Sequence, residues 1–532
     1  MNLMSDLLTN EQLIASGYQM PNYDVSETTR KTASDAKWVH FGAGNIFRAF
    51  LAVHQQKLLN LGLTDTGIVV AEGYDYEIID VLKGYDNLTL NVTLKNDGQV
   101  EKEVVASITE YLKMDASSSD YTALQELFRK PSLEMASFTI TEKGYSLVDG
   151  NGDLLTAVQA DFEKGPNKPE SYLGKVVALL FERFQAGKLP LALVSMDNMS
   201  HNGEKLQASV IAYANKWVEK GLVPEDFKAY LENQEKVTFP WSMIDKITPR
   251  PDTSVQEMLE KDGLENIAPF ETAKHTFVAP YVNGEETEYL IIEDCFPNGR
   301  PALEQTGIIF TDRDTVNRVE TMKVTTCLNP LHTCLAIFGC LLNYQSIHEE
   351  MQNQDLVKLV RTLGYKEGLP VVVNPGIIDP KHFIDEVVEK RFPNPFIPDT
   401  PQRIASDTSQ KLSVRYGETI KSYLQSTTLD VQSLEVIPMV IAGWLRYLTG
   451  IDDRGERFTL SPDPLMPTLL PLFAHFEFGK NNVNSKIYAL LSTKKIFGVD
   501  LVEVGLAEKI VAYFNEMSVA PGAVAKVIQS IK

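Results

Sequence analysis

The fold of this protein is decided by residues 38–72, WVHFGAGNIFRAFLAVHQQKLLNLGLTDTGIVVAE. An apolar run of strand type at positions 38–41 ends on glycines, and apolar residues at helical spacing then continue as far as Leu59. Gly62 ends the helical pattern, and a second apolar run follows at positions 68–71. This order predicts a strand, a helix and a second strand parallel to the first, and parallel sheets with packed helices are built from such units.

The glycine turn inside this unit predicts a nucleotide-binding site. Gly42 would make the tight turn, Gly44 would let the backbone approach a pyrophosphate, and the helix N-terminus would supply N–H donors. The third glycine of the full pattern is replaced by Phe47. Glu72, at the end of the second strand, either binds the ribose hydroxyls, which favours NAD over NADP, or is a solvated loop acid. The turn residues predicted to bind the cofactor are Gly42, Gly44, Asn45, Ile46 and Arg48.

The remaining chain divides by its pattern into two domains. Strand-type runs such as LTLNVTL (88–94), MASFTITEKGYS (135–146) and LPLALVSMDN (189–198) alternate with helical patterns up to about Thr311, and the rest is mainly helical. The sequence therefore predicts an α/β plus all-α protein. A Rossmann-type NAD-binding domain with an N-terminal extension is expected over residues 1–318, and an α-helical substrate domain over 319–532.

Composition excludes several classes of function. The 532 residues carry 50 Lys+Arg against 71 Asp+Glu, a net charge of −21, which argues against a general nucleic-acid binder. The four cysteines match no zinc spacing and are expected to be small buried side chains in a reducing compartment. The first 21 residues show no secretion signal, and no apolar run approaches a membrane span, so we expect a soluble cytoplasmic protein.

Lys323, Asn329 and His332 form the candidate catalytic cluster. A lysine beside a long apolar stretch loses hydration, which disfavours its charged form and suits a general base. Asn329 and His332 would share a helix face and could point donors at one oxygen, so the three could support oxidation of an alcohol. The alternative is that Asn329 caps a helix at Pro330, His332 is a core histidine and Lys323 is a surface charge.

Several blocks of sequence, in a fixed order, resemble the long-chain polyol-specific dehydrogenases, the mannitol dehydrogenase family. They are MPNYD (20–24), VHFGAGNIFRAF (39–50), TITEKGY (139–145), SMDNMSHNG (195–203), FPWSMIDKITPRP (239–251), the Lys–Asn–His segment and RFPNPFIPDTPQRIASDTSQKL (391–412). The resemblance implies a metal-independent, NAD(P)-dependent oxidoreductase with a Rossmann-type domain and a helical domain, and it favours a monomer.

The resemblance also implies roles for individual residues. Lys323 is implied as general base, His332 as substrate-positioning residue and Glu320 as proton relay. Asn329 and one asparagine of the 195–203 block are implied as oxyanion donors, with Asn202 preferred over Asn198. The further residues implied at the cofactor or substrate are Thr141, Asp245, Arg403 and Lys411.

Two positions depart from the family pattern. Five residues separate Lys323 from Asn329 where the family usually has four, and one extra residue turns a helix by about 100°. A π-bulge, or a helix break before Pro330 with Asn329 as a new N-cap, would absorb it. Ser406 stands where polyol-oxidising members tend to carry histidine, which favours another substrate.

A sugar acid is the expected substrate. Its carboxylate calls for a cation at the binding site, and the sequence offers several. Arg250, Arg403, Lys411 and Arg415 are the candidates. We therefore expect NAD(H)-linked interconversion of D-mannonate and D-fructuronate. The alternatives are oxidation of mannitol or another polyol, reduction of tagaturonate and, from a different class, a catalytically inactive nucleotide-binding sensor or scaffold.

Overall fold

The computed structural model describes residues 11–480 and 482–531. The chain divides into two compact units between Asn317 and Arg318, and each is described by itself. Residues 1–10, on which the expected absence of a secretion signal partly rests, lie outside the described residues.

The N-terminal unit contains fifteen strands among its described residues. In chain order they are β1 (Tyr18–Gln19), β2 (Trp38–Phe41), β3 (Ile68–Glu72), β4 (Thr89–Leu94), β5 (Val100–Val105), β6 (Ile108–Lys113), β7 (Met135–Phe138), β8 (Leu191–Ser195), β9 (Val237–Thr238), β10 (Ser242–Asp245), β11 (Phe270–Glu271), β12 (Phe277–Val278), β13 (Tyr281–Glu285), β14 (Tyr289–Glu293) and β15 (Ile309–Thr311).

The helices of this unit connect the strands. They are α1 (Glu11–Ala15), α2 (Val25–Asp35), α3 (Ala52–Asn60), α4 (Tyr76–Lys83), α5 (Ser119–Phe128), α6 (Thr141–Tyr145), α7 (Thr156–Lys164), α8 (Tyr172–Gln185), α9 (Asn202–Glu219), α10 (Glu225–Glu232), α11 (Thr253–Lys261) and α12 (Arg313–Met322), which continues into the C-terminal unit. A π-helical turn, Phe47–Leu51, precedes α3.

The central sheet has six parallel strands in the order β6-β3-β2-β7-β8-β9. The chain adds strands to one side of β2 and then returns to add the rest on the other side. This is the doubly wound order of dinucleotide-binding folds, in which ligands bind where the strand order reverses. The predicted Rossmann-type fold class is confirmed.

Helices cover both faces of this sheet, which explains why its strands are continuous apolar runs. Every residue of β2, β3, β7 and β8 is buried. Phe41 points into one hydrophobic core, where its ring stacks on that of Phe138 at 4.9 Å, whereas Trp38 points into the other core with Phe47 of the π-helical turn. Smaller sheets, β1-β5-β4-β13, β10-β14-β15 and β11-β12, flank this arrangement.

The C-terminal unit contains helices and no strand among its described residues, in agreement with the mainly helical pattern expected. Its helices are α13 (Asn329–Leu342), α14 (Ile347–Glu350), α15 (Gln354–Arg361), α16 (Pro380–Glu386), α17 (Pro401–Ile404), α18 (Glu418–Gln425), α19 (Val436–Tyr447), α20 (Met466–Leu469), α21 (Ser485–Leu491), α22 (Lys494–Phe497), α23 (Ala507–Glu516) and α24 (Ala523–Gln529).

Two apolar helices, α13 and α19, pack together and form the core of this unit. All twelve residues of α19 are buried, and the carboxylate of Glu367 caps the helix by accepting from the N–H groups of Glu435, Val436 and Ile437 at 2.6, 2.6 and 2.9 Å. The helical stretch Arg313–Leu342 is long and apolar enough to span a membrane, but 78% of its apolar window is buried inside the protein, as in a core helix. The four cysteines are free, and Cys327, Cys334 and Cys340 are buried.

Within the described residues, the core of the C-terminal unit contains one carboxyl group without a hydrogen-bond partner, that of Glu350. Its side chain is 0% exposed, and neither carboxylate oxygen has a hydrogen-bond partner among the described residues. Burial, with a further contribution from the charge of Glu349, raises the pKa of the Glu350 carboxyl well above its usual range. The native protein therefore keeps a proton that the unfolded chain loses above pH of about 4.3.

We expect Glu350→Met to change the pH dependence of stability. In the wild type, the contribution of Glu350 to the free energy of unfolding is fully present below the pKa that this group has in the unfolded chain. The contribution declines by about 1.4 kcal/mol per pH unit as pH rises towards the pKa that the group has in the folded protein. The variant lacks this decline, so its stability relative to the wild type should increase from pH 5 to pH 8 in thermal denaturation. The exposed Glu516→Gln variant is the control, and parallel pH profiles for Glu350→Met and wild type would contradict the prediction.

Candidate functional site

The glycine turn after β2 is shaped by a close approach of two backbone segments. Gly42 has φ +109°, and a Cβ at this position would lie 2.3 Å from the carbonyl oxygen of Thr139, so only glycine fits. A Cβ at Gly44 would meet nothing within 4 Å, so the second glycine borders open space. The chain then enters the π-helical turn and α3. A tight turn, an open glycine and a following helix fit the pyrophosphate of a dinucleotide.

Glu72 holds this turn in place. Its carboxylate accepts hydrogen bonds from the N–H groups of Ala43, Tyr74 and Asp75 at 3.1, 2.7 and 3.3 Å, and the residue is 7% exposed. It is therefore not a solvated loop acid. A carboxylate has about four acceptor positions, so capacity remains for a ribose hydroxyl.

Arg48 differs from its predicted role. The side chain is 0% exposed, Nε donates to Thr89 Oγ1 at 3.0 Å, and Nη2 donates to the carbonyl of Ala279 at 2.7 Å. The guanidinium joins the π-helical turn to the β4–β13 sheet, so its side chain is not available to a pyrophosphate, and the prediction of Arg48 as a cofactor ligand is wrong. Asn45 donates to the carbonyl of Pro249 at 3.3 Å, and Ile46 is partly buried at the start of the helical segment.

Asp197, which the sequence analysis missed, organises the carboxyl ends of β7 and β8. It accepts hydrogen bonds from the N–H groups of Ile140 and Thr141, both at 2.9 Å, and from the hydroxyl of Tyr145 at 2.6 Å. Burial raises the pKa of the Asp197 carboxyl, although these three donors oppose the shift. Thr141 is thereby held exposed at the strand ends with φ +63°. An acid two residues after a buried strand was the available signal.

Asn202 is a structural residue, which corrects the preference for it as oxyanion donor. It is 0% exposed, and Nδ2 donates to Asp197 O, Ser242 O and Ser242 Oγ at 3.1, 3.0 and 3.0 Å. Its Oδ1 accepts from the N–H groups of Ser242 and Gly203. The amide has no capacity left for a substrate. Asn198 is exposed in the same loop and remains the candidate, and Asp245 is buried at the end of β10.

The segment between Lys323 and Asn329 absorbs its extra residue by a π-helical turn. The turn spans Lys323–Cys327, and Leu328 N–H donates to the carbonyl of Lys323 at 3.1 Å. Leu328 then leaves helical geometry at φ −130°, and α13 restarts at Asn329 with Pro330 in its first turn. The π-bulge that the sequence suggested is present, and the helix also breaks before Pro330, but Leu328 and not Asn329 is the cap residue. π-helical turns inside α-helices occur frequently at functional sites.

The surroundings of Lys323 and Asn329 differ in two respects from the alternative in which Lys323 is a surface charge and Asn329 caps a helix. Lys323 is 3% exposed and so is not a surface charge, and Asn329 is the first residue of α13 rather than its cap. Within residues 11–480 and 482–531 the Asn329 side-chain amide has no hydrogen-bond partner, which leaves it able to donate to a ligand. Glu320 lies partly exposed, three residues before Lys323.

His332 lies beside Asp399, a residue not predicted from the sequence. Its Nε2 is 3.2 Å from Asp399 Oδ2, although the atoms are not aligned for a hydrogen bond. Burial lowers the pKa of His332, Asp399 opposes this shift, and Arg415 and Arg403 add to it, so the ring is neutral at pH 7. Burial acts to raise the pKa of Asp399, but His332 and Arg403 hold it below its usual range.

The two predicted substrate cations lie on the segment that follows Asp399. The Arg403 guanidinium is largely exposed and forms an ion pair with Asp399. Lys411 is partly buried, and its Nζ donates to the carbonyls of Ser406 and Ile404 at 2.5 and 3.5 Å. The structure thus places His332 and Arg403 beside one carboxylate, that of Asp399.

Comparisons with known proteins agree with this architecture. The Rossmann domain model of mannitol dehydrogenase matches residues 36–305, and its C-terminal domain model matches residues 315–518. A D-mannonate oxidoreductase of Thermotoga maritima is 52% identical over 519 residues, which cover 97% of this chain and 96% of that protein. A mannitol dehydrogenase of Saccharomyces cerevisiae is 30% identical and covers 81% of each chain.

Two solved structures resemble the whole chain. A D-sorbitol dehydrogenase in substrate-free form gives a TM-score of 0.80 at 26% identity and covers 98% of this chain and 99% of that one. The ternary complex of Pseudomonas fluorescens mannitol 2-dehydrogenase with NAD and D-mannitol gives 0.69 at 27% identity and covers 98% of each. All four relatives are named as oxidoreductases or dehydrogenases, which favours an enzyme over an inactive sensor or scaffold.

Substitutions of the two turn glycines are expected to separate folding from cofactor binding. Gly42→Ala should lower the free energy of unfolding by about 2 kcal/mol or more, because the Cβ overlaps Thr139 and φ is positive. Gly44→Ala should leave stability within about 1 kcal/mol but weaken NADH binding, because its Cβ occupies the open side of the turn. Urea denaturation and NADH fluorescence titration measure the two effects. Unchanged NADH affinity in Gly44→Ala would exclude the turn as the pyrophosphate site.

Substitutions of the two asparagines of the 195–203 block should also have different effects on stability and on turnover. Asn202→Ala removes several buried hydrogen bonds and should destabilise the protein by about 2–3 kcal/mol. Asn198→Ala changes an exposed residue and should destabilise the protein less than Asn202→Ala does, while turnover falls by about 10²-fold, as on loss of an oxyanion donor. Full activity in Asn198→Ala would remove this residue from the site.

Proposed function

Because the chain belongs to the mannitol dehydrogenase family, we propose that it interconverts D-mannonate and D-fructuronate with NAD(H). The observation that carries the proposal is the 52% identity to a D-mannonate oxidoreductase over nearly the full length of both chains. The cations on the segment after Asp399 support it, because a protein of net charge −21 would gain little from concentrating them for a neutral substrate. Ser406, in place of the histidine typical of polyol-oxidising members, supports the same choice.

NAD is the proposed cofactor. The residues that would hold it are Gly42 and Gly44 at the pyrophosphate and Glu72 at the adenosine ribose. The carboxylate of Glu72 favours NAD, since a ribose 2′-phosphate would be repelled there. When bound, the nicotinamide supplies an acceptor or donor of hydride.

Lys323 is the proposed general base for oxidation of the secondary alcohol. The lysine takes the hydroxyl proton, the hydrogen on carbon leaves with its electron pair as hydride, and the carbon–oxygen double bond forms. Its low exposure and its fixed position in the π-helical turn suit this role. Glu320, three residues earlier, is proposed to pass the proton onward to solvent.

Asparagine amides and a neutral histidine are proposed to hold the oxygen. Asn329 has a side chain without a protein partner among the described residues, and Asn198 is exposed in its loop. The Asn329 amide can donate to the oxygen as negative charge develops on it. His332, whose pKa is lowered first by burial, stays neutral and so binds the substrate without contributing a competing positive charge.

Oxidation of a neutral polyol is the second candidate, because a sorbitol and a mannitol dehydrogenase are among the solved structures that resemble the whole chain. A substrate panel decides between the two. D-fructuronate, D-tagaturonate and D-fructose are each incubated with NADH or NADPH, and D-mannonate and D-mannitol with NAD or NADP, while NADH absorbance is followed. We expect the highest kcat/KM for fructuronate with NADH. A higher value for fructose or mannitol would overturn the sugar-acid assignment.

Lys323→Met tests the mechanism in the same assay. Loss of the general base should lower kcat by about 10²–10⁴-fold and leave NADH affinity unchanged. Lys358→Met, at an exposed position of α15, is the matched control and should retain wild-type kinetics. Wild-type turnover in Lys323→Met would refute this role while leaving the substrate assignment intact.

A further inference from the structure

Arg415 is a cation of the C-terminal unit. It has no role in the proposed proton and hydride transfer, and the family resemblance assigns it none. It lies in a π-helical turn, Ser413–Gly417, and is partly buried. Its Nη1 donates to Thr333 Oγ1, and Thr333 Oγ1 donates at 3.0 Å to the carbonyl of Asn329. The guanidinium is therefore attached to the first turn of α13, which also carries Asn329 and His332.

Arg415 differs from Arg403 in having no counter-charge. Arg403 is paired with Asp399. In the described part of the C-terminal unit, no carboxylate oxygen lies within 4.0 Å of Arg415 or of Lys411. Asp407 and Asp463 are the acids whose charge acts to raise the pKa of Lys411. The Asp463 carboxylate already accepts hydrogen bonds from Ser409 and from Leu465 N–H.

Arg415 and Lys411 are neighbours of like charge. They lie one helical turn apart, since Arg415 N–H donates to the carbonyl of Lys411 at 3.0 Å. Burial, followed by the charge of Arg415, lowers the pKa of Lys411, and burial lowers the pKa of Arg415 to about 10. Two partly buried cations without a carboxylate are unfavourable, and a bound anion would offset that cost.

The hydrogen bonding of Arg415 leaves one edge of its guanidinium open. Only the bond to Thr333 is formed by the side chain among the described residues, so Nε and Nη2 keep their donors. Two parallel N–H groups match the two oxygens of a carboxylate, a geometry that lysine cannot supply.

We propose that Arg415, with Lys411 as the second cation, binds the carboxylate of the sugar acid and is the residue that selects an acid over a neutral polyol. The assignment rests on the proposed sugar-acid activity and deepens it. A carboxylate held on the first turn of α13 fixes one end of the substrate beside Asn329 and His332. Arg415 is thus a specificity-determining residue with no part in proton or hydride transfer.

The test compares D-mannonate with D-mannonamide, which has nearly the same size and no charge, in the wild type and in Arg415→Gln. We expect Arg415→Gln to lower kcat/KM for mannonate by about 30-fold or more, mainly through KM, because a charge-assisted pair is lost. The value for mannonamide should change less than about threefold. Arg415→Lys, which keeps the charge but not the paired donors, should fall between the two.

The matched control is Arg361→Gln, an exposed arginine of the same unit that pairs with Glu389 at 3.0 Å, and it should leave both substrates unaffected. Equal losses on mannonate and mannonamide would overturn the assignment, because they would show a structural role, and so would an unchanged preference for mannonate. If the wild type turns over neither mannonate nor fructuronate, the proposed function itself fails before any variant is compared. Arg415→Lys keeps the comparison valid if Arg415→Gln does not fold.

Discussion

The approach of the β2 turn to the end of β7 is the constraint on which the N-terminal unit depends. A side chain at Gly42 would overlap the carbonyl of Thr139, so these backbone segments touch where the strand order of the sheet reverses. Beyond that point the chain diverges to both sides, and a crevice at the carboxyl ends of parallel strands is where α/β proteins bind their ligands. Glu72 and Asp197 stabilise the crevice by binding backbone N–H groups of the loops around it, so its shape is set before any ligand arrives.

The C-terminal unit depends instead on how it distributes charge next to an apolar helix. Asp399 neutralises Arg403 and lies beside His332, Lys411 is held by main-chain carbonyls, and Arg415 is held by Thr333. The net charge of −21 thus gives no indication of the local field, since cations are concentrated where α13 begins. The π-helical turn before α13 lies in the same region and absorbs the additional residue between Lys323 and Asn329.

The sequence predicted the order of the elements well, and it predicted the side-chain roles less well. The alternation of apolar runs and helical patterns requires a parallel sheet, and the glycine spacing indicates its ligand-binding edge. Arg48 and Asn202 were assigned wrongly because neither pattern reports the direction of a side chain, and both point into the core of the N-terminal unit. Asp197 and Asp399 were missed for the same reason. Their importance comes from hydrogen bonds and ion pairs to residues that are distant in the chain, such as Tyr145 and His332.

The sequence by itself determined the fold class and the family resemblance, because periodicity and local motifs are properties of neighbouring residues. It also identified the extra residue after Lys323 as a feature that the helix must absorb. Only the tertiary structure decided which polar groups are already satisfied within the protein and which remain able to bind a ligand. Asn202 and Arg403 have their partners, whereas Asn329 and Arg415 keep donors unused among the described residues. The reason is physical: most buried polar groups are paired, and their partners are chosen by the fold and not by their neighbours in sequence.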